Sequence, residues 1–255
     1  LYMVNPLNFT DILRSCKENY VPFEGTITKD RRPRSLVDHI LSTRQMGLNP
    51  VIAEIKPASP TAGTLRRVDD VAALASSFEQ NGACGVSVLT EERFFGGSMK
   101  NLSMANCGLP VLRKDFLFHP SQIRESYAYG ADSVLLISSF FSAEALAAML
   151  YEARALGMEP LVEIHGKEDI ERAHLAGARF YAINNRDKDT LKVDLKRTRR
   201  LAPLVDGITV SASGIETMAQ LKEALGYCDA ALIGSALMRS GDPGAALRAL
   251  VYGGQ

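Results

Sequence analysis

Glu54, Lys56, Lys114 and Glu163 each stand near the carboxyl end of a short apolar run, at positions that strand geometry would align. In residues 51–56, Ile52, Glu54 and Lys56 share one parity, and in 110–116 Leu112, Lys114 and Phe116 do. In 160–165 the set is Leu161, Glu163 and His165, and across 179–186 it is Ala182, Asn184 and Arg186. Alternate residues of a strand face the same side, so each set turns from apolar to polar along one face. A lone carboxylate or ammonium taken out of water costs on the order of several kcal/mol, so such groups must pair with one another or meet a ligand. Mutual pairing is the plain reading of any single member. The whole set, gathered at one end of several strands, reads instead as a centre for proton transfer, because desolvation and neighbouring charge tune lysines for that work. His165 is a second candidate base, ranked behind Glu163, since a histidine at a strand end is more often a hydrogen-bonded structural residue.

A separate pair of segments suits a phosphate. Ser211-Ala212-Ser213-Gly214-Ile215 and Ile233-Gly234-Ser235-Ala236-Leu237-Met238 each follow an apolar run and open into a helical pattern. Gly214 and Gly234 permit close backbone approach, and helix-opening amides favour anions. Phe94-Phe95 before Gly96-Gly97 reads either as an aromatic wall over a planar substrate or as a buried loop anchor.

The elements that must position these residues recur at intervals of roughly 20 to 30 residues from residue 50 onward. Eight β-rich runs occupy 51–56, 84–90, 110–116, 132–138, 160–165, 179–185, 207–211 and 229–234. Most are nearly continuous in Val, Ile and Leu, as parallel strands covered on both faces are. Between them, 71–81 places Val71, Leu74, Ala75 and Phe78 on one helical stripe, 144–156 does so with Leu146, Met149, Leu150 and Ala153, and 243–250 forms a final helix. Gly82-Ala83, Gly130-Ala131 and Gly177-Ala178 punctuate three connectors just before a strand, which predicts left-handed glycines closing helices. Repeated β-α units predict a parallel sheet, and eight of them favour closure over an open sheet with two edges. An open doubly wound sheet is the alternative; without a G-x-G-x-x-G after the first run, it loses its dinucleotide-binding signature. The expected fold is therefore α/β, a single (β/α)8 barrel over 50–255 with an N-terminal helical extension over 1–49. In that extension 11–19 and 35–46 read as helices, with Ser35 as a cap. The basic stretch Lys29-Asp30-Arg31-Arg32-Pro33-Arg34 reads as a solvated loop rather than a nucleic-acid arm, and the extension could cover either the base or the mouth of the barrel.

Composition excludes several classes. Lys plus Arg equals Asp plus Glu at 29 each, so no global field draws the chain to nucleic acid or an anionic membrane. Cys16, Cys84, Cys107 and Cys228 include no Cys-x-x-Cys pair, and His39, His119, His165 and His174 form no His-Glu-x-x-His, so no metal site is expected. No apolar run approaches about 18 residues and no signal segment is evident. A cytoplasmic protein is expected, with Met3 as a candidate natural start and no fusion beyond the final helix.

Seven motifs, in order, resemble those of the indole-3-glycerol-phosphate synthase family over roughly residues 50–250. They are Val51-Ile52-Ala53-Glu54-Ile55-Lys56 with Ala58-Ser59-Pro60, Ser87-Val88-Leu89-Thr90 with Phe94-Phe95-Gly96-Gly97-Ser98, Val111-Leu112-Arg113-Lys114-Asp115-Phe116, Leu161-Val162-Glu163-Ile164-His165, Ile183-Asn184-Asn185-Arg186, Ser213-Gly214-Ile215 and Leu232-Ile233-Gly234. The resemblance implies decarboxylating ring closure of 1-(2-carboxyphenylamino)-1-deoxyribulose 5-phosphate to indole-3-glycerol phosphate, a late step of tryptophan biosynthesis, without cofactor or metal. It implies Lys114 as the acid for the ketone oxygen, Lys56 on the anthranilate carboxylate and the leaving hydroxyl, and Glu163 as the base. Glu54 would orient the lysines and a substrate hydroxyl, with Asn184 and Arg186 on polar groups nearby. Ser59, Gly214, Gly234 and Ser235 would bind the phosphate, Ser213 would lie beside it, and Phe95 and Phe116 would flank the aromatic ring. The expected partner is a small phosphorylated substrate, with neither nucleic acid nor membrane, and the expected assembly is a monomer or weak homodimer. Two positions depart from the family pattern: Ala212 stands where it usually has Glu, and Lys188 where an apolar residue is common. Ala212 raises two alternatives, a related enzyme acting on a modified substrate in a specialised pathway, and a non-catalytic barrel that binds a phosphate ligand.

Overall fold

The computed structural model describes residues 8–28 and 31–253, so Met3, Lys29 and Asp30 lie outside the described residues. Eight parallel strands close into a barrel: β1 Val51–Ile55, β2 Gly85–Leu89, β3 Val111–Lys114, β4 Ser133–Ile137, β5 Glu159–Ile164, β6 Phe180–Asn184, β7 Ile208–Ala212 and β8 Ala230–Ile233. Each strand pairs with its neighbours in the chain, and β1 pairs with β8 through Val51 opposite Ala231 to complete the ring. The expected runs overshoot the strands by one or two residues at most ends, while β5 begins one residue earlier, at Glu159, and β7 reaches one residue further, to Ala212.

Near-continuous burial along the strands follows from two separate cores. Side chains of one parity, among them Val51, Ala53, Val86, Val88, Val134 and Val162, pack outward against the helices. Those of the other parity, including Ile52, Leu112, Leu135, Leu161, Val210 and Leu232, fill the barrel interior. Interior filling makes the barrel a packed body and leaves open space only at its ends. The connecting helices bury the predicted stripes: α3 (Val71–Gln80) buries Val71, Ala75 and Phe78, and α6 (Ala143–Ala155) buries Leu146, Met149, Leu150 and Ala153. Gly82, Gly130 and Gly177 have φ of 87°, 95° and 82°, the left-handed geometry that their helix-ending positions predict.

The segment before β1 serves both ends of the barrel. Its first helix, α1 (Phe9–Glu18), begins at an Asn8 capping box and lays Phe9 and Ile12 into the interior core. Its second, α2 (Leu36–Gln45), is capped by Ser35 and seals the base with Leu36 and Ile40. Each of those two buried side chains contributes about 1.5–3 kcal/mol. Leu36 presses so close to β2 that a Cβ on Gly85 would lie 2.4 Å from its Cδ1. The basic stretch is not the solvated loop that its composition suggests. Asp132, fully buried just before β4, takes Arg31 Nη1 at 2.6 Å and the backbone amides of Arg34 (3.0 Å) and Val111 (2.9 Å). Arg34 also donates to the carbonyls of Cys107 and Leu109. A buried carboxylate with nearby guanidinium groups explains why this segment carries arginines.

Candidate active site

A cavity of about 330 Å³ opens at the carboxyl ends of the strands, close to the lower end of the range of about 300–1,000 Å³ usual for small-molecule sites. Its walls include the thirteen residues that the family resemblance assigns to the site: Glu54, Lys56, Ser59, Phe95, Lys114, Phe116, Glu163, Asn184, Arg186, Ser213, Gly214, Gly234 and Ser235. Strand parity accounts for the four polar groups on β1, β3, β5 and β6. Successive inward positions on each strand pass from the packed interior to the mouth, so Glu54 stands above Ile52 and Glu163 above Leu161.

Glu54 is the charge hub. Its Oε1 lies 2.9 Å from Lys56 Nζ and its Oε2 3.8 Å from Lys114 Nζ. Burial alone would push its carboxyl up, but Lys56, Lys114 and Arg186 outweigh that and hold it below the usual carboxylate range. One anion thus faces two ammonium groups, with the lysine side chains 15% and 20% exposed and directed to the cavity. Gly234 has a steric reason to be there: a Cβ would fall 2.3 Å from Glu54 Oε1.

Glu163 has a different environment. Its side chain is 1% exposed, and neither carboxylate oxygen receives a hydrogen bond from the described residues. His165 Nε2 lies 3.4 Å from Oε1 outside hydrogen-bonding geometry. His165 is not part of the cavity wall; it is packed behind Glu163 against the edge of Phe9, with ring centroids 5.8 Å apart.

Two loops and an aromatic cluster complete the pocket. After β7, Ser213 and Gly214 both take left-handed φ, 70° and 84°, and Asn185 Nδ2 donates to the Ser213 carbonyl at 3.1 Å. A Cβ on Gly214 would sit 2.2 Å from Val193 Cγ1, so the backbone there approaches the 187–195 loop closely. After β8, Gly234 precedes α10 (Ser235–Arg239) without a side-chain cap. Arg66 joins the loop that follows β1 to this helix by donating to the Met238 carbonyl at 3.1 Å. Phe116 meets Phe9, Phe95 and Phe140 at centroid distances of 5.5, 6.0 and 6.0 Å. Glu91 presents Phe95 by accepting the backbone amides of Phe94 and Phe95 at 2.7 and 3.0 Å. Of the Phe94-Phe95 pair, Phe95 lines the cavity and Phe94 packs against the interior core.

Sequence reasoning missed Phe9, Leu191, Val193 and Arg239 in the wall. Only Phe9 has a local signal: Asn8 and Asp11 form a capping box, which starts α1 early enough to include it. Among the described residues no three His, Cys, Asp or Glu side chains gather as metal ligands, and no helix is long and apolar enough to cross a membrane. Ala212, at the end of β7, is buried within the interior core and stands opposite Asn184 in the sheet register.

The family model described as indole-3-glycerol phosphate synthase matches residues 13–250. A protein of that name from Mycobacterium avium is 44% identical over 223 residues, covering 86% of this chain and 82% of its own length. One from Carboxydothermus hydrogenoformans is 42% identical over 228 residues, covering 87% and 86%. A third, from Dehalococcoides mccartyi, is 44% identical over 220 residues, covering 83% of each.

Proposed function

The chain belongs to the indole-3-glycerol phosphate synthase family, and from that premise we propose how its barrel mouth carries out the decarboxylating ring closure of tryptophan biosynthesis. The substrate is 1-(2-carboxyphenylamino)-1-deoxyribulose 5-phosphate. Its phosphate lies against Ser59, Gly214, Gly234 and Ser235, with Ser213 beside it, where left-handed backbone and a helix start suit an anion. Its aryl ring packs against the wall formed by Phe95 and Phe116, whose rings meet at a centroid distance of 6.0 Å. Lys56 holds the ring carboxylate, and Glu54, Asn184 and Arg186 hold polar groups along the sugar.

The aryl carbon bearing the carboxylate attacks the ketone carbon, and Lys114 gives its proton to the ketone oxygen as the C–C bond forms. Loss of carbon dioxide returns the bonding pair to the ring. Lys56 then protonates the departing hydroxyl, which leaves as water, and Glu163 removes the proton whose loss completes the indole. Two protons are given and one is taken, which matches the one proton consumed when a carboxylate leaves as carbon dioxide. The arrangement that carries this reading is one buried carboxylate serving two cavity-facing lysines while a second carboxylate stands apart from them with no hydrogen-bond donor among the described residues. Lys114→Ala should lower turnover by about a thousandfold or more while leaving the affinity for a phosphate-bearing product analogue within a few-fold, since general acids contribute about 10² to 10⁴. Turnover near the wild-type rate would remove Lys114 from its role.

Ala212 raises a second reading, a related enzyme acting on a modified form of the same substrate, because a methyl group stands opposite Asn184 where the family usually has Glu. A substrate panel separates the two: best turnover with the unsubstituted anthranilate-derived compound supports the first. The absence of turnover despite phosphate-ligand binding would favour the non-catalytic barrel. A cytoplasmic location and a small phosphorylated partner belong to the same proposal.

A further inference from the structure

We propose that His165 is a positioning residue for Glu163, its neutral imidazole holding the proton on Nε2 and presenting it to Glu163 Oε1 during the base step. The proposal rests on the reading of Glu163 as the base. Two carboxylates flank this one imidazole. Nε2 lies 3.4 Å from Glu163 Oε1, and Nδ1 lies 3.8 Å from Asp169 Oδ2. Only one ring proton is available when the imidazole is neutral, so the two carboxylates compete for it.

Asp169 needs that proton least. Its Oδ2 already accepts the backbone amide of His165 at 2.9 Å, and its Oδ1 accepts Arg172 Nη1 at 2.8 Å. Both oxygens of Glu163, by contrast, are buried with no donor among the described residues. A buried carboxylate lacking donors pays its full desolvation cost, so the ring proton stabilises the system most on Nε2. A small rotation of the imidazole or the carboxylate that aims the Nε2 proton at Oε1 converts the 3.4 Å contact into a hydrogen bond, which fixes the Glu163 rotamer and favours its ionised, proton-accepting form.

The surroundings keep the imidazole neutral. Burial lowers its affinity for a second proton; Glu163 and Asp169 raise it, and Arg197 and Lys188 lower it further, leaving a net downward shift. Phe9 of α1 closes the remaining side edge-on, at 88° between ring planes. The N-terminal helix thus covers the pair from outside, and Phe9 also touches Phe116 in the pocket wall.

The test is the pH profile of kcat/KM and the split between kcat and KM for four variants of the full chain. His165→Phe keeps the ring volume and removes the donor. It should lower kcat about tenfold with KM within about threefold, and move the acid limb up by about one pH unit, because a carboxylate that loses a donor holds its proton more readily. His165→Gln carries an amide N–H close to the Nε2 position and should return the limb to within about 0.3 unit of wild type, whereas His165→Asn, whose shorter amide reaches towards Asp169, should not. Should His165→Phe fail to fold, the Gln–Asn contrast decides alone: equal limbs in those two variants overturn the proposal. An unshifted limb in a folded His165→Phe overturns it as well. Glu163→Gln keeps the two failures apart: wild-type turnover in that variant would overturn the base reading and this proposal together. A dead Glu163→Gln with unshifted His165 variants would overturn the proposal alone.

Discussion

At the scale of single residues, the site depends on how few anions serve its cations. Glu54 faces both Lys56 and Lys114, and those lysines hold its carboxyl below the usual carboxylate range. The sign of the linkage follows: its lowered carboxyl contributes stability that is complete above the ordinary carboxylate range and is lost only as the pH falls below it. Alkaline behaviour is therefore clear of its titration. Replacing it with Gln removes the negative charge that favours both ammonium groups. Glu54→Gln should therefore lower kcat/KM by about tenfold or more, since both lysines lose the carboxylate that positions them. Steady-state kinetics within twofold of wild type would mean that the lysines are held by other groups. Gly234 belongs to the same arrangement, since the Glu54 carboxylate fills the space beside its α-carbon.

Elements explain why part of the site was legible before any coordinates. Glu54, Lys114, Glu163 and Asn184 were legible because strand parity is a local rule, and the apolar partners Ile52, Leu112, Leu161 and Ala182 declare which face is inward. Loops carry no such period. Leu191 and Val193 enter the pocket from a turn in which Leu191 has φ of 57°, a conformation that no spacing of residues announces. Nor does anything local tie Arg31 to Asp132, 101 positions away. Phe9 falls between these cases, because the helix that carries it was expected to begin at residue 11 and its capping box places it two residues earlier. Since Phe9 packs on both Phe116 and His165, truncating it loosens two parts of the site at once. Phe9→Ala should lower kcat/KM by about tenfold or more through misplacement of those groups. Steady-state kinetics within twofold of wild type would show that α1 covers the mouth without shaping it.

Across the whole molecule, the segment before β1 joins the two ends of the barrel, with Phe9 at the catalytic mouth and Leu36 and Ile40 in the base. Asp132 anchors its middle by pairing with Arg31 and accepting the amide of Arg34. Asp132→Ala leaves a partly exposed guanidinium and two backbone amides without their acceptor, so it should cost about 1–3 kcal/mol, read from urea unfolding midpoints. A loss below about 1 kcal/mol would show that the strap is held by its apolar contacts alone. On the proposed mechanism the rest of the barrel holds two acids and a base around one substrate, and that proposal has a direct readout. Mixing the purified chain with 1-(2-carboxyphenylamino)-1-deoxyribulose 5-phosphate and following indole fluorescence should show catalytic turnover, with one carbon dioxide released per indole-3-glycerol phosphate formed. Binding of the substrate with no rise in indole fluorescence and no carbon dioxide would contradict the account.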